Sequence, residues 1–570
     1  MILDSNQTPV TLCFISSPES SVPTSLSRSV ESRILGSLIS NETAFIRTLA
    51  MILKLILLSS LLVVTAGPAF AQEEATPGFN TPIPKSIMTS DEVETSIGTL
   101  EFFDGMPTAK TVDAVYDNLD RIRGTEVFLN FIPAASLEGM RLGMESMGCV
   151  APNECLMFKR LLDSTPLFLT GNTDTVYAAV MMDLEKYGPM VVEVPPKCGP
   201  GTVNDAFFRF VVDMGGPGPD RGQGGKYLIL PPDQMTEIEA PIGGKLVDVA
   251  GEEYFAVRSP GYMNFLILRG LLVDGKADAP VAMFEKGLKV YPYTDRNDPP
   301  AMKFIDGSQL AFNTIHANDF KFFEELHTVL DREPVGLIDP ELRGLAASIG
   351  LQKGKPFDPD PRMKGILEDS VAIGNATARA IFLRPRDPAA FLYEGQQWYT
   401  PFVGGDYRWL IADGAGGRNL DARTLFFYCA TVNTPAMALK MPGVGSQYAL
   451  ISTDSEGDYL DGSKNYTLLI PADVPAKNFW SFVVYDPQTR SELQSGQLLP
   501  SKNSVRDSMK ENPDGSITLH FGPEAPKGPD AANWIQTVPG KGWFALLRLY
   551  GPLEPWFEKT WRPGDIELAK

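Results

Sequence analysis

The chain has 570 residues, a formal net charge of −20 at neutral pH, 44% hydrophobic residues, and 51 glycines beside 47 prolines. A charge of that sign and size argues against binding nucleic acid or an anionic membrane surface through a general electrostatic field. Glycine and proline spread along the chain favour many short strands and turns over long helices.

Residues 51–74 read MILKLILLSSLLVVTAGPAFAQEE. One basic residue, Lys54, precedes an apolar run over 55–66, and Ala69-Phe70-Ala71 closes the stretch. These are the three parts of a secretory signal peptide, and the run is shorter than the about 20 residues a bilayer span needs. The expectation is cleavage after Ala71, a periplasmic or secreted protein, and no transmembrane span after processing. Residues 1–50 are Ser/Thr-rich without a core pattern; either translation begins at Met51 or the leader carries a long preceding region. Residues 72–92 read as a flexible lead-in.

Residues 108–123, TAKTVDAVYDNLDRIR, set Val112, Val115, Leu119 and Ile122 on one helical face. A series of strand-length apolar runs follows, among them TVYAAVMMDL, MVVEVP, AFFRFVVDM, KYLILPP and NFLILRGLLV. From residue 319 the period changes, and FKFFEELHTVL, ELRGLAASIG and MKGILEDSVAIGNATARAIF predict three helices. Past Pro401 strands return with TLFFYCATV, YALIST, NYTLLIP, NFWSFVVYD, SITLHF and WFALLRLYG. The predicted fold is mainly β: two antiparallel, jelly-roll-like β-sandwich modules over 93–318 and 396–565, joined by a helical linker at 319–395. Linkers too short for crossover helices make each module antiparallel.

The glycine-rich DMGGPGPDRGQGGKYLIL follows a strand but precedes another strand, so it reads as a hairpin loop rather than a phosphate site. The chain has no Gly-x-Ser-x-Gly, His-Glu-x-x-His or Cys-x-x-Cys motif. Its three histidines, His316, His327 and His520, fall on separate elements, which argues against a serine triad or a three-histidine zinc site. Cys149 and Cys155 stand close enough in an oxidising compartment to pair across VAPNE, whereas Cys429 in TLFFYCATV reads as a buried strand thiol.

Three constellations carry the chemistry. Asp454, Glu456, Asp458 and Asp461 lie within TDSEGDYLDGSKNY, a carboxylate density that suits calcium or a solvated turn. No other cofactor is evident. In GNTDTVYAAVMMDL, Asn172 and Asp174 occupy a turn and Tyr177 the strand after it; short polar side chains either organise the turn or form a site. In NFWSFVVYDPQTR, Trp480 and Tyr485 fall on opposite strand faces, available for core packing or for stacking on a sugar.

With IGTLEFFDGMPT, TGNTDTVYAAVMMDL, FFRFVVDM and KYLILPPD, the first half resembles the DUF1254 family of unknown function. DGSKNYTLLIPADVPAKNFWSFVVYDPQTRSEL and WFALLRLYGPLEPWF are similar to its usual partner, DUF1214. The resemblance implies an exported, envelope-associated protein and assigns no reaction. The positions matching the pattern are Asn172, Asp174 and Tyr177, then Asp461, Tyr466, Trp480, Tyr485 and Arg490. Three functions follow as expectations: binding of an envelope glycan or small molecule, carboxylate- and tyrosine-dependent hydrolysis or elimination, or a homo-oligomeric assembly module.

Overall fold

A computed structural model describes residues 83–411 and 416–569. The expected leader, its expected cleavage point and most of the expected lead-in lie outside the described residues. Up to Asp91 the described part holds one 3-10 turn, Lys85–Ile87. Glu92–Lys570 forms one compact unit.

That unit opens with a small antiparallel sheet of β1 (Glu92–Thr95), β2 (Gly98–Phe103) and β3 (Met106–Pro107). Helix α1 then runs over Ala109–Ser146, with the Thr108 hydroxyl capping it by accepting from the Thr111 N–H. The periodic pattern predicts a helix only to residue 123. Beyond it nearly every residue from Val127 to Met140 is buried, so no polar face remains to mark a helical period. Pro133 sits inside the helix, at a typical cost of about 3 kcal/mol. Two glycines let the 313–316 segment lie directly on α1: a Cβ at Gly143 would meet Asn313 O at 2.4 Å, and one at Gly139 would meet His316 N at 2.8 Å.

The first module comprises β4 (Glu154–Met157), β5 (Thr175–Asp183), β6 (Met190–Val194), β7 (Gly201–Asp205), β8 (Phe210–Met214), β9 (Gly225–Leu230), β10 (Lys245–Val249), β11 (Glu252–Arg258), β12 (Met263–Leu271), helix α2 (Asp278–Gly287), β13 (Lys289–Pro292) and β14 (Lys303–Asp306). They form a six-stranded sheet in the order β14-β4-β5-β12-β7-β8 and a five-stranded sheet in the order β10-β11-β9-β6-β13. Val176, Ala178, Val180 and Met182 of β5 share a core with Val192 of β6 and Ile229 of β9, between the two sheets. Tyr177 and Ala179, on the other face of β5, belong to a different core. This is the period of two expected of a strand.

Three further helices follow where the sequence predicts them: α3 (Lys321–Arg332), α4 (Pro340–Ser348) and α5 (Pro361–Leu383). The last two start on Asp-Pro, with Asp339 and Asp360 each accepting a backbone N–H two residues past the proline. Residues of TLFFYCATV form not a strand but the end of helix α6 (Leu420–Cys429), capped by Asn419. Its stretch from Thr424 to Cys429 is wholly buried, and a short apolar run on its own does not separate strand from helix.

The second module has β15 (Ser446–Ile451), β16 (Tyr466–Ile470), β17 (Ala476–Tyr485), β18 (Ser501–Asn503), β19 (Ile517–Gly522), β20 (Trp534–Gln536), β21 (Phe544–Pro552) and β22 (Ile566–Leu568). Its two four-stranded sheets run β15-β21-β17-β18 and β20-β19-β16-β22. Ile451, Phe482 and Leu547 of one share a core with Leu468 and Leu519 of the other. The outer face of the first sheet, through Leu450, Val483, Tyr485 and Leu546, joins the core built by α1, α3, α5 and α6. The same core receives Tyr177, Phe265 and Ile267 from the first module. The helices are therefore a shared middle layer between β modules rather than a tether alone.

Three expectations need correction. Neither module is purely antiparallel: β9 with β11, β4 with β14, and β19 with β20 run parallel. The glycine-rich loop is no hairpin, because β8 and β9 lie in different sheets. Asp220 organises that loop instead, accepting from the N–H groups of Gly215 (2.8 Å) and Gly224 (3.2 Å). Finally, Cys149 and Cys155 are both free and buried. Cys155, on β4, belongs to the core between the sheets, whereas Cys149, in the segment before β4, belongs to the helical core, so the two thiols are buried in different cores.

Among the described residues no helix is long and apolar enough to cross a membrane.

Candidate functional site

The turn before β5 carries the sequence-predicted residues, and its local chemistry explains them. Asn172 Oδ1 accepts from the N–H groups of Asp174 (2.9 Å) and Thr175 (3.1 Å), closing an Asx turn. Its Nδ2 donates to the Tyr177 hydroxyl. The turn then inserts into the second module. Asp174, fully buried, accepts from Ser481 Oγ on β17, from Asn503 Nδ2 on β18 (3.0 Å) and from Tyr550 OH on β21 (3.2 Å). Tyr485 OH donates to Gly171 O at 2.6 Å, and Arg548 Nη2 donates to Thr170 O at 2.8 Å. The backbone of Arg490 accepts from Thr170 N–H at 2.8 Å. One turn is thus gripped by four segments of the other module.

Beside that grip lies a cavity of about 50 Å³. Asn172, Tyr177 and Arg269 line it from the first module, and Tyr448 and Arg548 from the second. Phe168, Phe402 and Phe426 supply an apolar wall. The guanidinium of Arg269 sits 5.8 Å from the Tyr177 ring centre, and that of Arg548 lies 5.9 Å from the Tyr448 ring centre. Arg548 is 3% exposed, and its Nη1, buried, has no hydrogen-bond partner among the described residues. Burial opposes the charge on both arginines, yet both hold their protons more firmly than usual. Tyr485, Tyr550 and Asp174 act on Arg548, and Tyr448, Tyr177 and Tyr550 on Arg269. Burial also raises the Tyr177 hydroxyl, which therefore stays a donor at neutral pH. The cavity presents cationic and neutral donors against an aromatic wall, an arrangement that suits an anion.

A smaller void of about 10 Å³ adjoins it, sharing Ile267, Arg269, Val432 and Met437 and adding Asp213. Thr434 Oγ1 lies 2.6 and 2.8 Å from the two oxygens of Asp213 and donates its one proton to that carboxylate. Burial pushes its carboxyl up to about 6. Glu333, behind β12, is pushed up to about 7 by burial as well, although the N–H groups of Tyr262 and Met263 donate to it. A carboxyl whose folded pKa is raised favours the fold below its unfolded pKa, near 4.5, and loses that contribution as pH rises through about 7. His316, buried and pushed down to about 3, acts oppositely between about 3 and 6.5, so a variant comparison isolates the effect. The melting midpoint of Glu333→Gln is expected to decline less than that of the native chain between pH 5 and 7.5. Parallel curves would contradict this.

The other candidates fall elsewhere. Trp480 packs inside the second module and Tyr485 in the helical core, each out of reach of a sugar face. Arg490 is 1% exposed, with Nε on Tyr428 O at 3.1 Å and its guanidinium 4.4 Å from the Tyr428 ring centre. In the acidic loop, Asp454 Oδ1 accepts from the N–H groups of Glu456 and Asp458, and Asp461 Oδ1 from Ser463 N–H and Oγ. The loop's carboxylates do not converge; among the described residues no three His, Cys, Asp or Glu gather as a metal site would need. His316 is a core histidine whose ring edge meets Phe128 and Phe322.

Sequence reasoning missed Arg269, Tyr448, Arg548 and Tyr550. The signal was present: NFLILRGLLV and WFALLRLYG each carry one arginine inside an otherwise apolar strand. A lone cation in such a run needs a buried counter-group or a ligand.

The chain matches the family described as "Protein of unknown function (DUF1254)" over residues 152–292 and that described as "Protein of unknown function (DUF1214)" over residues 445–554. Among solved structures it is similar to the VPA0106 protein from Vibrio parahaemolyticus, at 17% identity over 80% of this chain and 100% of that one, with a TM-score of 0.47. A second similar structure is that of an uncharacterized protein from Burkholderia cenocepacia, at 12% identity over 80% of this chain and 96% of that one, with a TM-score of 0.33. No curated protein matches the chain.

Proposed function

We propose that this chain, which carries a DUF1254 and a DUF1214 region, is an exported ligand-binding protein of the cell envelope. In this reading two jelly-roll-like modules hold a small anionic molecule between them. The observation that carries it is the buried, unpartnered Nη1 of Arg548 at a cavity that Arg269 also lines. A buried cationic donor without an acceptor is costly, and an anion would satisfy it. The space limits the ligand's size: about 50 Å³, at about 10–15 Å³ for each water-sized group, holds roughly four of them. That suits the carboxylate end of a small acid better than a sugar ring. Export rests on the sequence features of residues 51–71.

Binding is favoured over turnover by the state of the lining groups. Tyr177 stays protonated, and burial pushes the Cys429 thiol up to about 12, so neither is an activated nucleophile or base at neutral pH. The test is a thermal-shift series with acetate, phosphate, sulfate and glucose on the native chain and on Arg269→Gln. Acetate is expected to raise the native midpoint and glucose to leave it unchanged. Arg269→Gln, at a partly exposed position, should keep its own midpoint within a few degrees while its affinity for acetate falls at least tenfold. No shift with any anion, or an equal shift in the variant, would sink the proposal.

A further inference from the structure

A second cavity, of about 250 Å³, opens on the helical layer between the end of α3, the connection after it and α4. Leu330, Leu337, Ile338, Ala346, Ala347 and Leu351 give it an apolar lining. Two cations share that lining, Arg343 and Lys353. Lys353 donates to the carbonyls of Asp331 and Arg332, and Arg343 Nη1 to Val335 O at 3.1 Å. Arg343 Nε, buried, has no partner among the described residues. The one carboxylate in the lining, Glu333, has both oxygens engaged by backbone N–H groups of residues 262 and 263 and supplies no partner to Arg343. The cavity is therefore an apolar chamber with a cationic side chain at its wall, Arg343, that meets no carboxylate among the described residues.

We propose that it binds an aliphatic monocarboxylate, its chain in the apolar chamber and its carboxylate on Arg343. Charge complementarity selects the head group: the guanidinium of Arg343, a lining residue, donates to a carboxylate better than to a hydroxyl. Volume admits the tail: about 250 Å³ of apolar space is room enough for a chain of octanoate's length. This site is separate from the junction cavity, and no residue lines both.

Calorimetric titration of the full chain with octanoate and with octan-1-ol tests it. Octanoate is expected to bind more tightly than octan-1-ol. Arg343→Gln, at a half-buried position, should weaken octanoate at least tenfold and leave octan-1-ol unchanged. Ala347→Phe should fill the chamber and abolish both. Absence of octanoate binding to the native chain would overturn the proposal, as would undiminished binding to Ala347→Phe. Equal weakening of acid and alcohol by Arg343→Gln would overturn it too. Arg269→Gln should bind octanoate as the native chain does, which separates this test from that of the junction cavity.

Discussion

Asp174→Ala is expected to lower the stability of the chain by about 3–5 kcal/mol. The side chain is fully buried and accepts from Ser481, Asn503 and Tyr550. Removing it strands three buried donors, each worth about 1–3 kcal/mol when left unpaired. Relaxation around the vacancy brings the sum below three full penalties. Because all three donors belong to the second module, the loss falls on the grip between modules. Urea denaturation followed by tryptophan fluorescence measures it, with a clear fall in midpoint expected. Asp174→Asn retains one acceptor oxygen and should lose less, about 1–2 kcal/mol. A variant that kept its midpoint but lost ligand response would identify Asp174 as a binding residue instead.

Arg548→Met should abolish the anion response and also destabilise the chain by about 2–4 kcal/mol. Its Nη2 satisfies Thr170 O at 2.8 Å and reaches Gly171 O at 3.2 Å, and both carbonyls lose that donor in the variant. Methionine fills much of the space, so the loss reflects the missing donors more than a void. Asp174 helps hold the Arg548 charge, so the two positions are coupled. The double variant with Asp174→Asn should cost at least about 1 kcal/mol less than the sum of the singles, since both weaken the same turn. Additive effects would mean that the turn is held at two independent points. An Arg548→Met variant that still responded to acetate would place the anion elsewhere.

Several elements were legible in the sequence because their signals are local. Thr108 before a periodic run marks the start of α1, and the Asp-Pro pairs at 339–340 and 360–361 mark α4 and α5. Period-two alternation correctly set Trp480 and Tyr485 on opposite faces of β17. The Asn172 turn was legible for the same reason, since its bonds reach only residues 174–177. Where burial is complete on every side, the pattern vanishes. α1 between Val127 and Met140 and most of α6 show no polar face, and both were misread or unread as helices.

By itself the sequence determined the order of β-rich, helical and β-rich segments, the turn at Asn172 and the two families the chain resembles. Only the tertiary structure decided that Asp174 meets Tyr550, 376 positions away, and that Arg269 and Arg548 line one cavity. The physical reason is the range of the forces involved. Caps, turns and strand alternation arise from residues a few positions apart, so spacing records them. Which faces then meet depends on how whole sheets and helices bury their apolar surface together, and no local spacing encodes that.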